Sequence, residues 1–276
     1  MKERIYRILY SGKYLWSMLA LMVFVMAGFF LNYLMHDARV SNGYFTYTNL
    51  AAAESFLLSG EYTSNLIAYC VVAPLVASLV CSSLFSEDEA AGMSEAIRIR
   101  ERREVYHLKN ILAVFLSAFL LSAIPLALNT LCVMLAFPLR DACMRNFQFY
   151  EPAYGIQFRL DNPFEILAQY HPYLTIWLGI VFHGLVSAVV ALFCYGVSVL
   201  ARLRFYYCAA IAFLCYLLWN LAMRAHYSPN PQVVWSFWPY MQLLFSWNSL
   251  KGFAVSFSLF LLAGMAMVFM GERVRA

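Results

Sequence analysis

Apolar residues in this chain come in long unbroken runs rather than on one face of a repeating pattern. Six runs stand out, at Tyr14–Met35, Leu66–Phe85, Ile111–Phe137, Leu174–Leu200, Phe205–Met223 and Phe253–Met270, and none contains an Asp, Glu, Lys or Arg. Each reaches the ~17–25 apolar residues that carry a helix across bilayer hydrocarbon. In hydrocarbon every backbone N–H and C=O must be paired within the protein, which an α-helix achieves inside one segment. The pattern predicts an all-α polytopic membrane protein, a single transmembrane domain over residues 1–276 with six transmembrane helices. The third and fourth runs are long enough to tilt or to project beyond the membrane.

Two other segments are apolar in a different way. In the first dozen residues Met1, Ile5, Ile8 and Leu9 fall on one helical face, with Glu3, Arg4 and Arg7 opposite. This predicts an interfacial elbow helix over Met1–Lys13, lying among the lipid headgroups; the competing reading is a frayed terminus. The run that follows exceeds the roughly 7–15 residues of a signal-peptide core, so it is expected to be a retained first span. Within the outer segment Arg224–Gly252, Val233–Trp247 carries Trp235, Phe237, Trp238, Tyr240, Phe245 and Trp247. It is too short to span. It reads either as a re-entrant or interfacial helix before the last span, or as an aromatic belt that anchors helix ends.

Composition supports the membrane reading. Apolar residues make up 63% of the 276 and charged residues 12%, with a mean hydropathy of +0.67; soluble domains run at about 45–50% and about 25%. The net charge of +4 matters less than its placement. Lys2, Arg4, Arg7, Lys13, Arg98, Arg100, Arg102, Arg103, Lys109, Arg202, Arg204, Arg273 and Arg275 fall on one side of the six-span topology. The longer opposite loops hold only Arg39, Arg140, Arg145, Arg159, Arg224 and Lys251. The denser side is expected to be cytoplasmic, with both termini inside, in a plasma membrane. No long basic tract points to nucleic acid.

The search for chemistry removes several classes. There is no G-x-x-x-x-G-K-[ST], no H-E-x-x-H, no G-x-S-x-G and no intramembrane Asp pair, so no enzyme is expected and no cofactor is called for. Of the seven cysteines, six lie in apolar runs and Cys143 alone in a polar loop, with no zinc spacing. His183, in the fourth run, reads either as a ligand or as a hydrogen-bonding partner of a neighbouring helix. Ion-coupled transporters usually carry ionisable residues within the membrane; these runs offer neutral Asn129, Thr130 and Asn220 instead. Such a lining suits an amphipathic or apolar cargo, with energy supplied from elsewhere.

The loop Ser86–Asn110 is the most distinctive segment. Glu87, Asp88 and Glu89 open it and Arg98–Arg103 follow, an order that suits a helix dipole. A short helix here would present Met93 and Ile97 on one face. The plain alternative is a solvated connector that follows the positive-inside rule.

The elbow, the six spans, this loop and the aromatic segment together resemble the permease subunits of type-2 ATP-binding-cassette exporters. In that family the second span ends in an aromatic residue, followed by an acid, a Gly, an aliphatic residue, a base, and Lys at the start of the third span. Phe85, Asp88, Gly92, Ile97, Arg103 and Lys109 stand here in that order. The Pro that often precedes the family's basic residue is absent. The resemblance implies ATPase coupling through Asp88, Glu89, Gly92, Met93, Ile97 and Arg103. It also implies a separate ATP-binding-cassette ATPase subunit and a second permease chain in a homo- or heterodimer, within membrane lipid. A different class, a non-transporting scaffold, sensor or immunity protein, shares the same composition and charge asymmetry.

Overall fold

In the computed structural model the described residues are 2–41, 63–81, 83, 87, 92, 103–137, 171–201, 203–225, 235–241 and 250–273. Their regular structure is helical throughout: α1 (Lys2–Leu9), α2 (Gly12–Ser41), α3 (Thr63–Cys81), α4 (Arg103–Ala136), α5 (Pro172–Ala201), α6 (Phe205–Ala225), α7 (Trp238–Met241) and α8 (Leu250–Arg273). Five of them, α2, α4, α5, α6 and α8, are long and apolar enough to cross a membrane, and α3 contributes the shorter apolar stretch Ile67–Cys81. The chain is an all-α, multi-pass membrane protein.

Helix α5 is the axis. It is apolar on every side, as a helix surrounded by protein should be, and 72% of its span is buried inside the protein. Helices α3, α4, α6 and α8 pack directly against it. Only 22% of the α2 span and 28% of the α6 and α8 spans are buried. These outer helices expose Leu15, Trp16, Val23, Leu214, Leu218, Leu259 and Leu262, the apolar surface that lipid solvates.

Glycine allows a direct backbone contact between α5 and α8. A methyl group on Gly196 of α5 would sit 2.5 Å from the Gly264 carbonyl oxygen of α8, and one on Gly271 would sit 2.9 Å from the Val199 carbonyl oxygen. The two backbones therefore touch directly. Lipid tails are as apolar as Leu, so close van der Waals contact is what holds membrane helices together.

Helix directions alternate. Helix α1, the end of α3, the start of α4, the α5–α6 turn and the end of α8 gather at one end of the bundle, tied by Arg4–Tyr106, Lys13–Glu87, the Lys13–Phe205 contact and Gly271–Val199. The Tyr33 ring of α2 lies tilted against Phe137, just past α4, at the other end. The segments grouped by charge in the sequence thus share an end. Two boundaries differ most from the sequence reading. Helix α2 continues to Ser41, past Met35. The segment read as a loop to Asn110 is helical from Arg103, so α4, at 34 residues, is about 50 Å long and projects beyond a hydrocarbon core of about 30 Å.

Candidate functional site

Of the residues singled out for coupling, Asp88, Glu89, Met93 and Ile97 lie outside the described residues, as do Cys143 and the outer loop around it. Gly92 is in a turn with φ of 65°, a left-handed conformation that a residue with a Cβ adopts only with strain. Arg103 opens α4. What the structure defines is the frame on either side of this loop.

That frame is held by α1 and by the first turn of α2. Arg4 of α1 donates to the Tyr106 carbonyl at 2.7 Å and to Asn110 Oδ1, and its guanidinium lies 4.4 Å from the Tyr106 ring centroid. Asn110 Nδ2 in turn donates to the Tyr195 hydroxyl of α5 at 3.2 Å, and His107 Nδ1 lies 2.9 Å from the same hydroxyl. Tyr106, His107, Asn110 and Tyr195 are all buried. One cation on α1 therefore reaches the central helix through the first two turns of α4.

The preceding end of the loop is held from the same side. Lys13 Nζ donates to Glu87 Oε1 at 2.8 Å, and Ser83 Oγ donates to that oxygen at 3.0 Å. Partial burial works to raise the Glu87 carboxyl. The hydrogen bonds from Lys13 and Ser83, with the charges of Lys13 and Arg7, outweigh it and leave the group below its ordinary range. Lys13 also lies 5.3 Å over the Phe205 ring at the start of α6. Helix α1, through Arg4, and the start of α2, through Lys13, thus hold the two ends of the segment 88–102.

This corrects the sequence reading of Arg4. That reading set it on the polar face, opposite Ile8, although residues four apart share one side of a helix. In the structure Arg4 is half-buried on the side of α1 that faces α4, one turn from the buried Ile8. An Arg stem is apolar and its head can be paired, so a cation can share a helix's inward face. Nothing in the N-terminal sequence marks its partners Tyr106 and Asn110, about a hundred residues away.

At the opposite end, the aromatic segment is seated in the bundle. Phe237, Tyr240 and Met241 are fully buried or nearly so, so residues 235–241 pack among the helices. Asn220 of α6 positions it: its Oδ1 accepts the Ser236 hydroxyl and the Phe237 backbone N–H, both at 2.9 Å, and the Trp238 backbone N–H at 3.3 Å. These are free N–H groups at the start of a short helix, and a side-chain oxygen satisfies them. Ser256 of α8 and Trp219 of α6 donate to the Trp235 carbonyl at 2.6 and 3.2 Å. His183 Nε2 of α5 lies 2.9 Å from the Met241 carbonyl. Phe182, Phe253 and Phe260 close around Phe237 and Tyr240.

His183 therefore takes the hydrogen-bonding role that was one of its two sequence readings. Thr130 donates to the Leu126 carbonyl of its own helix at 2.9 Å, and Asn220 caps the aromatic segment. These two neutral polar residues serve the fold. No group of His, Cys, Asp and Glu among the described residues could hold a metal ion.

No protein family, no characterised protein and no solved structure matches the chain. Its functional reading rests on its own geometry and on the resemblance carried by Phe85–Lys109.

Proposed function

We propose that this chain is the membrane-spanning permease subunit of an ATP-driven exporter of the type-2 ATP-binding-cassette kind. The observation that best supports the reading is the hold of the N-terminal region on both ends of the segment 88–102, through Lys13 of α2 on Glu87 on one side and Arg4 of α1 on Tyr106 and Asn110 on the other. A soluble motor that pushes on this loop would move α1, α3 and α4 together, and Tyr195 would carry the displacement into α5. The uncharged interiors of the long helices accord with a passive route driven from outside, and the aromatic segment suits a closure at the far end.

In this reading the end that carries α1 faces the cytoplasm, both termini are inside, and six spans from each of two chains enclose the route. Two ATPase subunits dock beneath, on Gly92, Arg103 and the intervening residues. Purification from the native host in mild detergent tests the proposal. An ATP-binding-cassette ATPase should co-purify in stoichiometric amount, and its ATP turnover should fall when Gly92 or Met93 is replaced by a bulky charged residue. Recovery of the chain without any ATPase would reject the proposal and favour a non-transporting membrane partner.

A further inference from the structure

Buried hydroxyls in this bundle mostly bond to their own helix. Ser117 Oγ donates to the Ala113 carbonyl at 2.7 Å, Ser198 Oγ to the Tyr195 carbonyl at 2.7 Å and Thr130 Oγ1 to the Leu126 carbonyl at 2.9 Å, the usual arrangement for Ser and Thr inside a helix. Ser187, in the middle of α5, is fully buried and departs from it: its hydroxyl has no partner among the described residues. The carbonyl one turn back, that of His183, already receives the Ser122 hydroxyl from α4 at 3.1 Å.

His183 is fully buried too, and its Nδ1 also has no partner among the described residues. Its other nitrogen faces the Met241 carbonyl at 2.9 Å. A carbonyl only accepts, so Nε2 carries the proton, and in the neutral ring Nδ1 presents a bare lone pair. Residues four apart on a helix share a face with Cβ atoms about 5–6 Å apart, a separation that one bridging molecule covers. Leaving a buried polar atom unpaired costs about 1–3 kcal/mol, and internal waters typically join such atoms.

We propose that His183 Nδ1 and Ser187 Oγ together bind one internal water molecule, a wet point within the apolar central helix. The water donates one hydrogen to Nδ1 and its oxygen accepts the Ser187 hydroxyl. The imidazole is then held on both sides, by the aromatic segment through Nε2 and by its own helix through Nδ1, against the Tyr69 ring 5.5 Å away. Water is the ligand of choice because the site supplies one acceptor and one hydroxyl and no charge. The inference is independent of the export reading.

Magic-angle-spinning NMR of the full chain in bilayers, labelled with ¹⁵N-histidine, tests it. The His183 signals are those lost in H183Q. Magnetisation started on water should reach His183 Nδ1, whose shift should be that of a hydrogen-bonded acceptor. In S187A the transfer should fall several-fold while the Nε2–H signal, which reports the intact contact with Met241, persists. A wild-type Nδ1 with the shift of a free lone pair would refute the site, as would a hydrogen-bonded Nδ1 that receives nothing from water, since its donor would then be protein. Full transfer retained in S187A would equally rule out the pair as the binding site.

Discussion

The Arg4 guanidinium donates to the Tyr106 carbonyl at 2.7 Å while lying 4.4 Å from the centroid of the same residue's ring. One side chain thus grips both the backbone and the aromatic face of α4, and a further bond to Asn110 extends the grip by a turn. Hydrogen bonds from a charged donor contribute about 1.5–3 kcal/mol, and a half-solvated cation over an aromatic ring about 0.5–1 kcal/mol. R4A should destabilise the protein by about 2 kcal/mol, the lower part of the combined range because Arg4 is only half-buried. R4K should recover only a fraction, because an ammonium lacks the planar fork. Thermal unfolding of the two variants in one detergent checks the order.

The Asn220 cap is tested by backbone exchange. N220A leaves the Phe237 and Trp238 N–H groups without their acceptor, at a cost of about 1–3 kcal/mol. Hydrogen–deuterium exchange over residues 235–241 should accelerate markedly in N220A. T130A, which removes a bond internal to α4, should leave that peptide unchanged. Equal protection in both variants would mean that the aromatic packing alone seats the segment.

The α5–α8 contact yields a graded series. A Cβ on Gly196 would meet a backbone oxygen at 2.5 Å, whereas one on Gly264 meets its nearest atom, the Phe193 Cα, at 3.2 Å. Overpacking of a tight site typically costs about 1–3 kcal/mol. G196A should fall at the upper end and G264A below it. Gly12 has nothing within 4 Å of the added carbon, so G12A is the neutral control. Melting temperatures of the three give the ranking.

The Lys13–Glu87 bridge predicts a small acid-sensitive contribution. The folded carboxyl lies below its ordinary value of about 4.3, so its stabilisation is present above that value and is lost as pH falls through the lower folded one. The side chains are 58% and 40% exposed, which limits the contribution to under about 1 kcal/mol. Stability measured from neutral pH down through the carboxylate range should fall slightly more steeply in wild type than in E87Q, and molar salt should narrow the difference. Coincident curves would show that the bridge contributes nothing.

Thiol labelling tests the topology. Cys70, Cys81, Cys194 and Cys208 are buried, and all the other cysteines except Cys143 lie in long apolar helices. A membrane-impermeant reagent on intact cells should label Cys143, and should label a cysteine placed after Ala276 only after permeabilisation. Labelling of the C-terminal cysteine in intact cells would invert the orientation.

The helical class and the positions of the long helices were legible in the chain because hydrocarbon permits so few alternatives. A run such as Leu174–Leu200, without charge or break, has one way to pair its backbone in lipid. The grouping of basic segments at one end followed from charge asymmetry, and the bundle places Lys13, Glu87, Tyr106, Phe205 and Gly271 at a common end. Tertiary structure decided what no local pattern encodes. Arg4 turned inward because Tyr106 and Asn110 wait across a hundred residues of chain. Asn220 became a cap because the chain folds back to bring Phe237 beneath it. Of the long apolar helices, α5 became the buried axis because α3, α4, α6 and α8 all pack against it, α8 to backbone contact at Gly196. Hydropathy measures what a residue loses in water and says nothing about which helix it will touch, so the long apolar helices could be read from sequence while the brace, the cap and the central helix could not.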